Sequence, residues 1–533
     1  MNLYMKKKNI ISLFAGAALL FSFPACTDLD EEVYDSIAAE DFGATSTEVK
    51  ALVGTVYKTV KNYVSDGAFF ALEEMCGTSN VTPTRYGGDW YDSGQYRELY
   101  MHTWTSETSV IKSAWENASS GIGTCNANYQ VVEASEVITD DVKTEYLAEI
   151  RGVRAFWYYK MMDLWGNVPL VTDYDDKELP TNATRQEVFD FVIDELEDIA
   201  EDCPDATTDN YSKFTKGAAY TLLAKMALNA EAWGVSYSGN AYEDVITYCD
   251  KVIAYGYTLN SDFNANFDNN NEGTNEAIFA IPFSESDTSY DNRWQMMNRT
   301  LHYKDSEALG TSNSAWNGVC AQPEYVHLFE NADGTIDPRR EDTYLIGLMY
   351  SLETGEVIMT DHGYELNHTI DYEMIEGTEY DGTTWGSVHQ HVGARCIKWD
   401  YSTTLTDAMG NDFYLFRLAD IYLMKAEAII RNGGSGSEAA SYVNLVRERA
   451  YGDSDHDYST VGLDEILLER RLELAWEYMN RQDDIRFGEF EYGMWEGSNS
   501  ARSTGDYLYL FPVSQDAWQS NPNLVQNDGY ASF

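Results

Sequence analysis

The stretch EIRGVRAFWYYKMMDLWGNVPLVT, residues 149–172, decides the fold. Taken with the residues before it, it reads as a helix over 143–165 that ends at Gly166 and leaves through a turn at Pro169. Glycine supplies a helix stop and proline cannot continue the helix. Trp157 and Trp165 fall inside this pattern and are assigned to the scaffold. The same periodicity runs through STEVKALVGTVYKTVKNYV (46–64), where Val49, Leu52, Val53, Val56, Val60 and Val64 recur at threes and fours behind a cap at Thr45 or Ser46. Further helices are expected near 110–136, 185–202, 214–233 and 241–255, with Pro180 and Pro204 in the breaks.

A second helical block is C-terminal: FYLFRLADIYLMKAEAIIR (413–431), EAASYVNLVRERA (438–450) and LDEILLERRLELAWEYMNRQDDIRFG (463–488). Small residues such as Ala218, Ala219, Ala224 and Ala227 suit closely packed helix pairs. Stacked pairs of roughly 34 residues are the tetratricopeptide pattern, in which neighbours bury faces that one pair cannot bury alone. The expected class is therefore mainly α, a tetratricopeptide-like helical-repeat scaffold. It spans 26–255 and 412–533, the latter with the tail, and carries an irregular, loop-rich subdomain over 256–411. That middle stretch is too long for one loop and too aromatic for a linker. Trp233 and Trp476 also sit in helical patterns and are read as scaffold.

The charge limits the partners. The chain has 36 Lys+Arg against 88 Asp+Glu, a formal net charge of −52. Such a surface repels phosphate backbones, so nucleic acid is excluded as a partner. Disordered acidic chains are poor in aromatics, whereas this one has 39 Tyr, 21 Phe and 13 Trp, so it folds. Neutral sugars carry no Coulomb penalty here.

Residues 1–25 read as an export signal: Lys6–Lys8, then the apolar run 10–25, too short to span a bilayer. The run ends at Cys26, which resembles the lipid-attachment cysteine of a bacterial lipoprotein signal. Cys76, Cys125, Cys203, Cys249, Cys320 and Cys396 are scattered, without zinc-like spacing.

Six segments in order resemble the SusD/RagB family of outer-membrane glycan-binding lipoproteins: 149–172, KFTKGAAYTLLAKMAL (213–228), FRLADIYLMKAEA (416–428), YVNLVRERA (442–450), ILLERRLELAWEYMNRQDDIRFG (466–488) and LFPVSQDAWQSNPNLVQNDGY (510–530). The resemblance implies a surface-exposed outer-membrane lipoprotein seated over a SusC-type TonB-dependent transporter, capturing glycans without catalysis or cofactor. The residues carrying it are mostly structural. Glu469, Arg470, Arg471, Glu473, Glu477, Arg481, Asp483, Asp484 and Arg486 are expected to pair and hold helices together.

The binding residues have to be sought elsewhere. Sugars offer C–H faces to aromatic rings and hydroxyls to polar side chains. GGDWYDSG (87–94) places Trp90 and Tyr91 among glycines and aspartates, with Tyr86 just before; Tyr290, Trp294, Tyr303 and Trp316 repeat that setting within 288–318. These seven are the candidate glycan contacts, although Trp294 and Trp316 could equally fill the subdomain's interior. A plant-type β-linked polysaccharide such as a β-glucan or xyloglucan is weakly favoured.

Three alternatives remain. A glycoside hydrolase needs two carboxylates across the scissile bond, and a pair such as Glu73–Glu74 is not diagnostic in so acidic a chain. Capture of peptides or glycoprotein glycans, and a helical adaptor for another protein, stay open. His389 and His391 lack an identifiable third metal ligand. DNNNEG (268–273) fails as an EF-hand because Phe279 stands where the bidentate Glu belongs, so no metal is assigned.

Overall fold

The computed structural model describes residues 43–287, 289, 292–312, 315–373, 379–380, 383–384, 387–401, 408–490 and 505–533. The signal segment, Cys26 and Tyr290 lie outside the described residues.

Helices dominate. α1 (Ser46–Ser65) starts at Thr45, whose hydroxyl and the Glu48 carboxylate form a reciprocal capping box. α2 (Ala68–Glu74), α3 (Gln95–Met101), α4 (Ser109–Ala134) and α5 (Asp140–Trp165) follow. The last ends at Gly166, with φ +70°. α6 (Arg185–Ile199) carries a second capping box at Thr184, and α7 (Lys216–Asn229) and α8 (Ala241–Ala254) complete the N-terminal set. Successive helices pack as pairs: α4 on α5, α5 on α6, α7 on α8, and α1 against α4. Glycines make the close approaches possible. A Cβ on Gly121 of α4 would lie 2.3 Å from the Trp157 ring, and one on Gly152 of α5 would lie 2.2 Å from Phe214.

Four five-residue helices mark the middle region: α9 (Met296–Thr300), α10 (Asp305–Leu309), α11 (Pro323–His327) and α12 (Arg339–Thr343). Every sheet among the described residues has two strands. α13 (Leu418–Arg431), α14 (Gly436–Tyr451), α15 (Leu463–Glu473) and α16 (Asn480–Phe487) form the C-terminal set, with α13 packed on both α8 and α14. The fold is thus mainly α, as the periodicity predicts.

Two expected helices differ. Residues 413–417 are a strand, Phe413–Arg417, paired antiparallel with Ala277–Ile281. The helical pattern over 463–488 breaks between α15 and α16, where Trp476 and Tyr478 hold φ of +69° and +62°. That break seats Trp476 beside Phe70, ring centroids 6.0 Å apart and nearly parallel, and turns Glu477 toward Arg417 and Lys398.

The expected ion pairs form, and they are buried. Arg339 meets Asp337, Glu469 and Glu473; Arg470 meets Asp420 and Asp483; Arg486 meets Glu427 and Asp483; Arg471 meets Asp484. The six described cysteines are all buried and unbridged.

Candidate glycan-binding face

The segment 84–94 is laid down by backbone bonds to a distant loop. Tyr86 N–H donates to the Val388 carbonyl (2.7 Å) and Val388 N–H to that of Thr84 (3.0 Å). Gly87 and Gly88 then turn with φ near +100°, and Trp90, Asp92 and Ser93 also hold left-handed φ. A non-glycine side chain there costs of order 1 kcal/mol or more, and such strain gathers at functional sites.

That turn lays Trp90 against the 316–318 segment. Its indole N–H donates to the Trp316 carbonyl (2.6 Å), and its ring lies 5.4 Å from that of Tyr96. Gly318 is required beneath it, because a Cβ would meet the ring at 2.5 Å. Trp90 is half-buried, and it braces Trp316. Trp316 is 36% exposed, with the Arg299 guanidinium 5.8 Å from its ring centre. Its neighbour Asn317 also has left-handed φ, at +58°.

Arg85 ties three loops together. It is fully buried, and its guanidinium donates to the carbonyls of Asn317 (3.2 Å), Gly318 (2.6 Å), Val392 (2.9 Å) and His389 (3.4 Å). Arg395, also buried, donates to the carbonyls of Thr300 (2.8 Å), Gln390 and Val392 (3.0 Å each). Burial, with Arg85 beside it, pulls its guanidinium down to about 9.

Across Asp89 lies a second group of rings. Tyr303 is half-buried and its hydroxyl donates to Asp89 Oδ2; burial, with that carboxylate, pushes the phenol well up. Gln390 Nε2 reaches the same oxygen at 3.4 Å. Tyr86 is 41% exposed and edge-on to His362 at 5.5 Å. Tyr364, 45% exposed, lies 4.7 Å from the His389 ring and 5.3 Å from that of His391, and the two imidazoles stack at 5.4 Å. Tyr91 is half-buried in the same loop as Trp90.

Trp294 is a correction. It is 1% exposed, packed by Phe283, Trp399 and Phe413 at 5.0–5.6 Å, and it cannot meet a ligand. Its polar neighbour Asn292 is buried too, bonding the carbonyls of Ser284 and Asp287. Tyr364 and His362 were missed, although DHGYE (361–365) shows the same glycine- and acid-flanked aromatic pattern as GGDWYDSG. His389 and His391 stack as rings here, and no group of three or more His, Cys, Asp or Glu among the described residues is placed to hold a metal.

Two histidines give this face a pH dependence. Burial, with Arg395 and Arg85 nearby, pulls His302 down to about 3; burial, with His389, pulls His391 down to about 4. Unfolded histidine titrates near 6.5, so the folded chain binds fewer protons. Their contribution is complete above about 6.5 and is lost as pH falls toward 3–4. Buried Glu74, pushed up to about 8, acts with the opposite sign. The contrast with His302→Gln isolates the imidazole: urea titrations at pH 6.5 and 4.5 should show the wild type losing roughly 1 kcal/mol per pH unit more than the variant. Parallel losses would rule out His302 as the source.

Comparison with known proteins bears on the family and the fold. The sequence model of the SusD family matches residues 275–530, and one described as "Starch-binding associating with outer membrane" matches 29–228. The chain is 25% identical over 475 residues to "Starch-binding protein SusD" of Bacteroides thetaiotaomicron, covering 83% of this chain and 82% of that one. It is 25% identical over 507 residues to a "SusD-like protein" of Bacteroides ovatus, covering 91% and 83%. Among solved structures, "Laminarin binding SusD-like protein" superposes with TM-score 0.71 at 22% identity, covering 91% of this chain and 100% of that one. "Surface glycan-binding protein A from Bacteroides thetaiotaomicron in complex with laminarihexaose" gives 0.70 at 19%, covering 91% and 99%.

Proposed function

The chain belongs to the SusD family, and from that premise we propose that it captures a neutral polysaccharide or oligosaccharide for uptake, on the face built by Trp316, Tyr86 and Tyr364. Members of the family are non-catalytic binding proteins, and this chain is not an enzyme. Uptake in this reading proceeds by handing the glycan to a SusC-type TonB-dependent transporter, with the protein held at the outer-membrane surface through a lipid on Cys26. The relative that binds starch and the neighbours bound to laminarihexaose and to xylogluco-oligosaccharide support a carbohydrate ligand.

The observation carrying the proposal is the pairing of part-exposed rings with polar side chains held beside them, Asp89 by Tyr303 and Gln390. Trp316, Tyr86 and Tyr364 expose 36–45% of their surfaces around Asp89 and Gln390. A sugar's C–H face can lie on such rings while its hydroxyls meet amide and carboxylate oxygens; no charge on the ligand is needed. Trp90, Tyr91 and Tyr303 serve the face as braces and edges.

Affinity electrophoresis of the protein lacking residues 1–26 tests this against starch, laminarin and xyloglucan. Retardation is expected on one of them. Trp316→Ala should weaken it at least tenfold, which is about 1.4 kcal/mol, while Tm stays within a few degrees. Absence of retardation on every neutral glycan would sink the proposal. Retardation unchanged in both Trp316→Ala and Tyr364→Ala would move the site elsewhere.

A further inference from the structure

The part-exposed ring of Trp316 has Arg299 on one side. The backbones of 298–301 and 316–319 run together: Trp316 N–H donates to the Asn298 carbonyl (2.6 Å) and Asn317 N–H to that of Leu301 (2.8 Å). The N–H groups of Gly318 and Val319 both donate to the Arg299 carbonyl (2.9 and 3.0 Å). That pairing sets the Arg299 guanidinium over the Trp316 ring, 5.8 Å from its centre, inside the roughly 6 Å reach of a cation–π contact.

The same guanidinium is fixed at a helix end. α1 has no basic residue in its last turn, although the carbonyls that a helix leaves unpaired there favour a cation. Arg299 supplies one from α9: its Nη2 donates at 3.3 Å to the carbonyl of Asp66, the residue that caps α1. Burial pushes the Asp66 carboxyl up, and the Arg299 charge opposes that rise. Arg299 also bonds the Tyr96 hydroxyl. The Tyr96 ring lies 5.4 Å from that of Trp90, whose indole N–H holds the Trp316 carbonyl. Trp316, Arg299, Tyr96 and Trp90 thus close a circuit. Gly67, with φ +80°, makes room for it, because a Cβ there would lie 2.3 Å from Arg299 Nη2.

We propose that Arg299 is a positioning residue for glycan capture: anchored on the C-terminal end of α1, it covers one face of the Trp316 indole and holds the other toward the ligand. This rests on the aromatic-face reading and deepens it. Trp316 then stacks on a sugar through one face only, and the corner between α1 and α2 becomes part of the binding apparatus. A planar guanidinium can lie over a ring and donate from its edge to a carbonyl at the same time, which an ammonium cannot.

A double-mutant cycle separates positioning from ligand contact. It is read by affinity electrophoresis of the protein lacking residues 1–26, on whichever of starch, laminarin and xyloglucan retards the wild type. Arg299→Met keeps a long apolar stem without the charge. It should weaken binding about fivefold by itself and hardly at all in a Trp316→Ala background. Arg299→Lys should recover only part of the loss. Gly67→Ala keeps both Arg299 and Trp316 but displaces the guanidinium, so it should weaken binding in the same direction, and it carries the test if Arg299→Met folds poorly. A second readout needs no ligand. With 5-fluorotryptophan incorporated, the fluorine resonance missing from Trp316→Ala identifies that ring, and it should shift in both Arg299→Met and Gly67→Ala while Tm stays within a few degrees. A shift in a protein that retains no glycan would sink the aromatic-face reading and keep the coupling of Arg299 to Trp316. Equal fold-losses in the two backgrounds would mean that Arg299 touches the ligand itself. That result, wild-type affinity in Arg299→Met, or a Trp316 resonance unmoved by either substitution would each overturn the proposal.

Discussion

Arg417→Met is expected to destabilise the protein by about 3–5 kcal/mol, the usual consequence of removing one partner from a buried ion pair. Arg417 is 1% exposed and makes five hydrogen bonds: Nε and Nη2 to the two Glu477 oxygens (2.6 and 2.7 Å), Nη1 to Glu276 (2.8 Å) and Glu473 (2.6 Å), and Nη2 to the Glu473 carbonyl (3.0 Å). These contacts join the 413–417 strand, the strand at 277–281 and the break between α15 and α16. Other cations remain when Arg417 is lost: Glu473 keeps Arg339 and Arg449, and Glu477 keeps Lys398. The cost is therefore bounded, but the carboxylates become undercompensated in a site that water does not reach.

The pH dependence separates this cause from mere lost packing. Burial pulls the Glu473 carboxyl up, yet the guanidiniums of Arg449, Arg417 and Arg339 outweigh it and hold it well below the usual carboxylate range. A group with a depressed folded pKa contributes stability above its unfolded value, near 4.3, and loses it as pH falls toward the folded value. Removing Arg417 shrinks that contribution. The gap between wild type and variant should be full at pH 7 and narrow below about pH 4.5, as read by urea denaturation at each pH. A gap that stays constant would mean that Arg417 matters through its volume and not its charge.

The same region shows what the sequence discloses and what it hides. Helix starts and stops follow local chemistry, so Thr45 with Glu48 and the Gly166 stop could be read from neighbours within a turn. The arginine–carboxylate pairs were legible as types at helical spacing. Their partners were not: Arg417 meets Glu276 across the strand pair, and nothing local distinguishes FYLFR as a strand from the helix that follows it. Left-handed φ at Trp476 and Tyr478 opposes the local preference of bulky residues, and only the surrounding core fixes it. Within the candidate face, the polar neighbours of Trp90 and Trp316 in the sequence go with rings that keep part of their surface in solvent. Trp294 has equally polar flanks, but Asn292 beside it spends its amide on buried carbonyls, so polarity there marks a satisfied interior. Tyr364 joins His389 and His391 through contacts that composition at one position cannot announce.

Arg85→Met is expected to abolish glycan retardation while costing about 2–4 kcal/mol of stability, from several carbonyls left without a donor at 1–3 kcal/mol each and some relaxation. The hydrogen bonds of the Arg85 side chain run to four backbone carbonyls, which belong to three places in the chain: 317–318, 389 and 392, all approached from the base of the 85–94 loop. A planar fork can span them; an ammonium cannot. Arg85→Lys should accordingly keep part of the stability and little of the binding. One relief offsets the loss, because Arg395 shares the Val392 carbonyl and is held down partly by the Arg85 charge, so its own charged state becomes easier in the variant. The expected signature therefore differs from that of Trp316→Ala, which removes a ring and leaves the loops in place. Hydrogen exchange read by mass spectrometry should show faster exchange across 86–94 and 316–318 in Arg85→Met and near-wild-type protection there in Trp316→Ala. If Arg85→Met instead keeps both its protection and its glycan, the loops are organised by the Trp90–Trp316 contact alone, and the buried guanidinium is only a structural filler.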